Sequence, residues 1–244
     1  MNFNNIDNVI IPFDRKWKNI GIAVSGGADS ALLAYLICEL SKECDHNPTI
    51  HIINHVRCWK TKPWQQDDAD RVYNWLFQKF YHTTFKRHTN FIAPELEYGN
   101  MGASLVDEYG KKVSGDNIQQ RAFGEFICKS EGIEAYYNAV TRNPKGADFA
   151  GMVERDIDRT DSNRHLEMMT HMNVWVLHPF RFVSKDWVMH QYKRLGLLDL
   201  LHKTRSCEGT FEDITYETYT TGQQVPTCGE CFWCKEREWA LGNS

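Results

Sequence analysis

The chain has 244 residues, 42% of them hydrophobic and 25% charged, with a formal net charge of −4. That length buries a full core in one domain with room for a small appendage, and the mild acidity excludes a bulk electrostatic pull toward nucleic acid or anionic membrane. No run approaches the ~18–20 apolar residues of a membrane span, and the start, MNFNNIDNVIIPFDRK, lacks the basic-then-apolar design of a signal peptide, so a cytoplasmic location is expected.

In chain order, Ile20, Ile22, Ala23 and Val24 predict a buried strand, and Ala31 to Leu40 a mostly apolar helix. Ser25 to Ser30, SGGADS, is then the turn between them. Its glycines permit a tight turn and uncover amide N–H groups, while the helix start adds unpaired N–H groups and a positive dipole end. Such a place suits an anion, most often phosphate. An ordinary strand-to-helix turn, with Gly for geometry and Ser or Asp for capping, fits the same six residues. The spelling excludes a Walker A loop, because Gly27 stands where its lysine would follow Gly21 and Gly26, and Ala23 excludes a nucleophile elbow centred on Ser25.

Thr49 to Asn54 predicts a second strand, and Asp67 to Tyr81 a helix with Val72, Trp75, Leu76 and Phe80 on one face and aspartates in its first turn. Thr83 to His88 suggests a third strand, and Ala93 to Asn117 fits no regular element. Helix resumes near Asn117 and runs to about Ser130, with Gly132 as its stop; Ala135 to Val140 reads as strand. The polar, acid-rich stretch from Arg142 to Asn173 is a candidate lid or substrate loop. Val174 to Leu177 is a short strand, and Ser184 can cap a helix through Leu195 that Gly196 ends. Strands alternating with helices predict an α/β fold, a Rossmann-like parallel sheet covered by helices on both faces.

Of eight cysteines, Cys38, Cys44, Cys58 and Cys128 are scattered, whereas Cys207, Cys228, Cys231 and Cys234 form C-x20-C-x2-C-x2-C. Four thiolates close a tetrahedral structural zinc site. Chance clustering of buried thiols and an iron-sulfur cluster are the rivals. A ferredoxin run would place its next cysteine at 238, where Glu238 stands, which favours zinc. With no open position the metal would act as a staple for the tail. The histidines form no comparable cluster, and His55 and His178 read as structural or surface residues.

SGGADS together with the terminal cysteines resembles the PP-loop ATP pyrophosphatases, and within them the 7-cyano-7-deazaguanine synthases. Ser206-Cys207, then Cys228-Gly229-Glu230-Cys231, Cys234 and Arg237 match that family's zinc pattern, and HPFRFVSKDWVMHQYKRLGLLDLLHKTRSC resembles the stretch before it, with Pro179, Lys185 and Gly196 in place. The resemblance implies an adenine nucleotide alpha hydrolase-like domain over residues 1–205 and a zinc-binding element over 206–244 packed on it. It implies ATP bound by Ser25, Gly26, Gly27, Asp29 and Ser30, cleaved between its α and β phosphates, with Ser25, Asp29, Ser30 and Lys185 as the catalytic set. Asp29 is assigned Mg2+ or helix capping, and Lys185 a phosphate or solvent.

The reaction implied joins 7-carboxy-7-deazaguanine to ammonia through an acyl adenylate, giving the amide and then the nitrile, with AMP released. Asn117 and Asp148 are the substrate residues that can be aligned. The resemblance implies a homodimer, while composition and the lack of an apolar span give no expectation of a membrane partner and disfavour direct nucleic-acid binding without excluding it. Three family segments depart: Ser114-Gly115-Asp116-Asn117 replaces a cation by an acid, HVRCWKTKPWQQDD replaces the segment after the second strand, and KGADFAGMVER the substrate-facing one. Arg121 or Arg57 could restore the missing charge. A tRNA-thiolating PP-loop enzyme and a non-enzymatic nucleotide-binding zinc module are the alternatives, the latter drawing on the basic, aromatic RCWKTKPW.

Overall fold

A computed structural model describes residues 4–57, 63–92, 115–144, 166–209, 211, 213–214 and 218–244, with backbone alone at 57, 115–118 and 166. Two short strands, β1 (Asn5–Ile6) and β2 (Val9–Ile10), form a hairpin through Asp7 and Asn8, both at positive φ. Then come β3 (Asn19–Ala23), α1 (Ala28–Ser41), β4 (Thr49–Arg57), α2 (Gln65–Lys79), β5 (Thr84–Ile92) and α3 (Gly115–Ser130). They are followed by β6 (Ala135–Tyr137), β7 (Leu166–Met169), β8 (Val174–Leu177), α4 (Lys185–Arg194), α5 (Leu198–Lys203) and α6 (Phe232–Gly242).

The main sheet has six strands in the order β5-β4-β3-β6-β8-β7, parallel except for β7, which runs antiparallel to β8. Alternation along β4 divides the core. Ile50 and Ile52 join the large cluster with Leu32, Leu36 and Leu40 of α1, Val72 and Leu76 of α2, and Val188, Met189 and Tyr192 of α4. Ile53 joins the smaller cluster with Ile127 and Cys128 of α3, Ile133 and Val174. Two faces buried by helices explain why these parallel strands read as apolar runs.

The predicted α/β class stands, with altered element limits. Helix α1 begins at Ala28, three residues before the apolar run, because the Gly27 carbonyl already accepts from Ala31 N–H. Strands β4 and β5 run to Arg57 and Ile92, where paired backbone extends both beyond their apolar cores. Strand β6 stops at Tyr137, although Val140 has the apolar character of a strand. Within the expected lid, residues 166–169 form an edge strand, because β8 offers an open side; residues 145–165 lie outside the description.

Strand order reverses between β3 and β6, which leaves a crevice at the carboxyl ends of the strands where α/β sheets bind ligands. The turn from Val24 to Gly27 opens into it.

Candidate active site

Backbone geometry holds the Ser25–Ser30 turn. Val24 N–H donates to the Ile53 carbonyl at 2.8 Å, and Arg205 N–H donates to the Gly26 carbonyl at 2.9 Å. Gly26 has φ +82°, and a Cβ there would lie 2.5 Å from Asp68 Cβ and 2.6 Å from its carbonyl carbon. Only glycine lets the turn press so closely on the start of α2. Ser25 N–H donates to Ser30 Oγ at 3.2 Å, the two hydroxyls are 3.3 Å apart, and Ser30 Oγ donates to the Gly27 carbonyl at 3.1 Å. Ser30 is thereby fixed in the fold, while Ser25 stays exposed at the mouth.

Capping is not the role of Asp29: Gly27 occupies the cap position, and no side chain hydrogen-bonds the helix N–H groups there. One Asp29 oxygen meets Lys185 Nζ at 3.0 Å, and the other is buried without a hydrogen-bond partner. Lys185 is itself buried, 4% exposed, so it is no solvated lysine, and its ammonium also meets Glu236 of α6 at 3.3 Å. Burial opposes its charge, but the Asp29 and Glu236 carboxylates outweigh burial and raise its pKa above the ordinary lysine value. Ser184, at the cap position of α4, donates to Asp186 Oδ1 rather than accepting from a helix N–H.

The cluster carries one cation against two carboxylates, a net negative charge that would repel a triphosphate unless a divalent ion intervenes. The unpartnered Asp29 oxygen suits one inner contact to Mg2+, which keeps several waters and takes phosphate oxygens for the rest. Ser206 Oγ is a second buried oxygen without a partner, and Asp29, Ser206 and Lys185 all line a polar recess of about 200 Å³.

Beyond the turn lies a cavity of about 660 Å³, walled by Ala23 to Ser25 at the end of β3, Asn138 to Val140 after β6, and side chains from α3, β7 and β8. His55 and His178 both face it, as do Arg121 and Glu125, which are ion-paired at 2.9 Å. Burial pushes His55 down to about 4, and burial aided by Arg181 pushes His178 to about 4, from an ordinary 6.5. Both imidazoles are neutral at pH 7, and His178 Nδ1 is buried without a hydrogen-bond partner. A histidine held neutral in the fold stabilises it fully above the unfolded value and loses that contribution as pH falls toward the folded one. Urea melts are therefore expected to show stability falling between pH 6.5 and 4 by about 1.4 kcal/mol per pH unit for each proton taken up. The double variant His55→Gln, His178→Asn should flatten that slope; an unchanged slope would pass the effect to the other groups that burial perturbs, His51 and His88, and to the carboxylates.

At the tail, Cys207 Sγ lies 3.6 Å from Cys228 Sγ, which lies 3.9 Å from Cys234 Sγ, and all four sulfurs fall within 4.8 Å of one another. Tetrahedral thiolates at ~2.3 Å from one ion stand about 3.8 Å apart. The group therefore fits a single ion, whereas the cysteines of a cuboidal cluster each bind a different iron and must stand farther apart. Backbone N–H groups of Cys228 and Cys231 donate to Cys207 Sγ and Cys228 Sγ, each at 3.3 Å. Burial opposes ionisation of Cys228, but the N–H groups of Cys231 and Glu230 outweigh it and bring the thiol down to about 7.

Gly209, Arg205 and Glu236, which motif spelling does not single out, complete the site together with Arg237 of the cysteine pattern. A Cβ on Gly209 would sit 2.6 Å from Cys228 Sγ, so only glycine fits there. Arg205 reaches the carbonyls of Val225 and Pro226 while its own N–H holds Gly26, and Glu236 joins α6 to Lys185. Arg237 donates to the carbonyls of Leu201 and Thr204 at 3.1 and 3.3 Å, closing the end of α5. Asn117 lies in the first turn of α3 with its side chain outside the description, and Asp148 and Ser114 fall outside the described residues.

No protein-family model matches the chain, and no curated protein matches it. Among solved structures it is similar to the U34-tRNA thiolase NcsA from Methanococcus maripaludis with its [4Fe-4S] cluster, at 14% identity and a TM-score of 0.47 over 92% of this chain. It is also similar to the FMN adenylyltransferase of Candida glabrata, at 12% identity and a TM-score of 0.34 over 93% of this chain. The chain spans 64% and 62% of those two proteins, less than two thirds of each.

Proposed function

We propose that this protein is an ATP-dependent, AMP-forming enzyme of PP-loop type that adenylates a carboxylate-bearing 7-deazapurine and passes it to ammonia. The observation that carries the reading is the buried Lys185 ammonium held by Asp29 at the mouth of the glycine turn. It puts a permanent cation, helix N–H groups and two hydroxyls around one recess, which stabilises charge on departing pyrophosphate. Mg2+ at Asp29 supplies the remaining charge neutralisation on the phosphates. The adjoining cavity, about 660 Å³, lies within the range of pockets that enclose small molecules, which favours such an acceptor.

The acceptor carboxylate attacks the α phosphorus and pyrophosphate leaves. Ammonia then displaces AMP from the mixed anhydride to give an amide. A second adenylation of the amide oxygen, followed by loss of a proton and AMP, gives the nitrile. Both carboxylate oxygens depart on AMP, and no protein nucleophile takes part. The chain's work is alignment of two reactants and exclusion of water from the anhydride. Neutral His178 and the amide of Asn138 offer hydrogen bonds to a heterocycle edge within the same walls. The four-cysteine group is read as structural zinc.

A tRNA uridine as acceptor is the second reading, and a recess of about 520 Å³ lined by Trp64, Arg71, Arg205 and Gln223 beside the glycine turn favours it. The outer face of the Arg205 guanidinium, which lies over the buried Trp64 ring at 5.0 Å, is a plane on which an unstacked base can lie. Mass spectrometry of zinc-loaded protein with ATP, Mg2+, ammonium and 7-carboxy-7-deazaguanine separates the two. Nitrile or amide together with AMP is expected. AMP formed only on adding tRNA moves the acceptor to RNA, and no AMP with either acceptor sinks both readings.

A further inference from the structure

On the α3 face of the sheet, away from the glycine turn, three side chains from three elements converge. His51 of β4 is fully buried, and its Nδ1 lies 3.0 Å from His88 Nε2 on β5, with the rings 9° from parallel. Glu131, directly after α3, brings Oε2 to 4.0 Å from His51 Nδ1. His51 pairs in register with Gly21 of β3, so the cluster sits lower on the sheet than the turn that follows Ala23.

We propose that His51, His88 and Glu131 bind a divalent transition ion of the Zn2+ class, a second metal site independent of the cysteines and of the reaction. The three ligand atoms lie within 4.8 Å of one another. Ligand atoms ~2.0–2.1 Å from a tetrahedral ion stand about 3.3 Å apart, so one pair opens by about 0.3 Å and another closes by about 0.7 Å, which side-chain rotation supplies. With His51 Nε2–H donating to Asn19 Oδ1 at 3.2 Å, the His51 Nδ1 lone pair faces the cluster and accepts from His88 Nε2–H, and a metal ion would replace that proton, His88 then carrying its proton on Nδ1. The bond to Asn19 is the outer hydrogen bond metal-binding histidines ordinarily make. The carbonyl end of α3 adds a negative pole at the same place.

Lys86 is the competitor: its ammonium lies 2.6 Å from the same Glu131 oxygen but is half exposed and free to turn outward. Metal would join β4, β5 and the end of α3, and fix how that helix lies on the sheet. Its fourth position is left to water.

The test is metal content by equilibrium dialysis against Zn2+, with Co2+ spectra as the second readout. The wild-type protein is expected to hold one equivalent more than His88→Ala or Glu131→Gln, both at incompletely buried positions that tolerate substitution. The extra Co2+ should show weak ligand-field bands without the intense thiolate charge transfer of the cysteine group. Lys86→Gln should bind the extra ion several-fold more tightly. Equal metal content in the wild type and His88→Ala overturns the site; thiolate charge transfer on the extra ion does the same; weaker binding by Lys86→Gln removes Glu131 from it.

Discussion

Lys185→Ala is expected to lose AMP formation by 10²-fold or more and to lower folding stability by about 3–5 kcal/mol, the cost of leaving a buried ion pair half broken. Glu236 is 2% exposed and cannot regain water when the ammonium goes, and Asp29 is left beside it with one oxygen already lacking a partner. For a chain of this size the loss corresponds to a fall in Tm of roughly 6–20 °C. Loss of fold alone would also abolish activity, so a second variant separates the causes. In Lys185→Met, Glu236→Gln one positive and one negative group are removed together, and most of the stability should return while AMP formation does not. ATP affinity should fall in both, because both lack the cation that the proposed reading turns toward the phosphates. If the double variant forms AMP at the wild-type rate, Lys185 is a structural lysine and the phosphate-binding role passes to the helix start alone.

The chain order made the fold legible wherever one residue pattern had one physical outcome. Apolar runs at Ile20–Val24 and Ile50–Ile53 are strands because both sheet faces are buried, and Gly132 and Gly196 stop helices with φ of +62° and +66°. Elements that depend on a partner were not legible. Strand β7, LEMM, has no alternation of its own and exists because β8 offers an open edge. Helix α6 carries Glu236 and Arg237 among its inward contacts, so its pattern reads as polar until Lys185 and Thr204 are known to be there. The site divides the same way. Ser25, Gly26, Gly27, Asp29 and Ser30 stand together in sequence, so their proximity is legible without the fold. The charge partner of Asp29 is 156 residues away and the link from Arg205 to Gly26 nearly 180, distances over which spacing carries no signal. His55 and His178 looked ordinary because nothing local shows that strand ends from opposite sides of β3 turn them into one cavity.

Removing the metal from the cysteine group is expected to weaken ATP binding by about 10²-fold, although no cysteine lies in the glycine turn. Four connections run from the tail to the glycine turn, the start of α2 and Lys185. Arg205 N–H holds the Gly26 carbonyl two residues before Cys207; the Arg205 guanidinium holds Val225 and Pro226 just before Cys228; Glu236, two residues after Cys234, holds Lys185; and Asp67 at the start of α2 accepts from Tyr219 and from Gly222 N–H. Structural zinc contributes binding energy that is also folding energy, and a displacement of ~1 Å in a phosphate-holding group costs about 10²-fold. Cys231→Ser, or chelation, should therefore leave the far-UV circular dichroism of the sheet and α1–α3 largely in place while calorimetric ATP affinity falls and Lys185 loses its second carboxylate. Re-adding one equivalent of Zn2+ should restore the affinity of chelated protein but not of Cys231→Ser. Metal-free protein that binds ATP with unchanged affinity would show that the tail is an independent module, and the turn's geometry would then rest on Gly26 and the start of α2 alone.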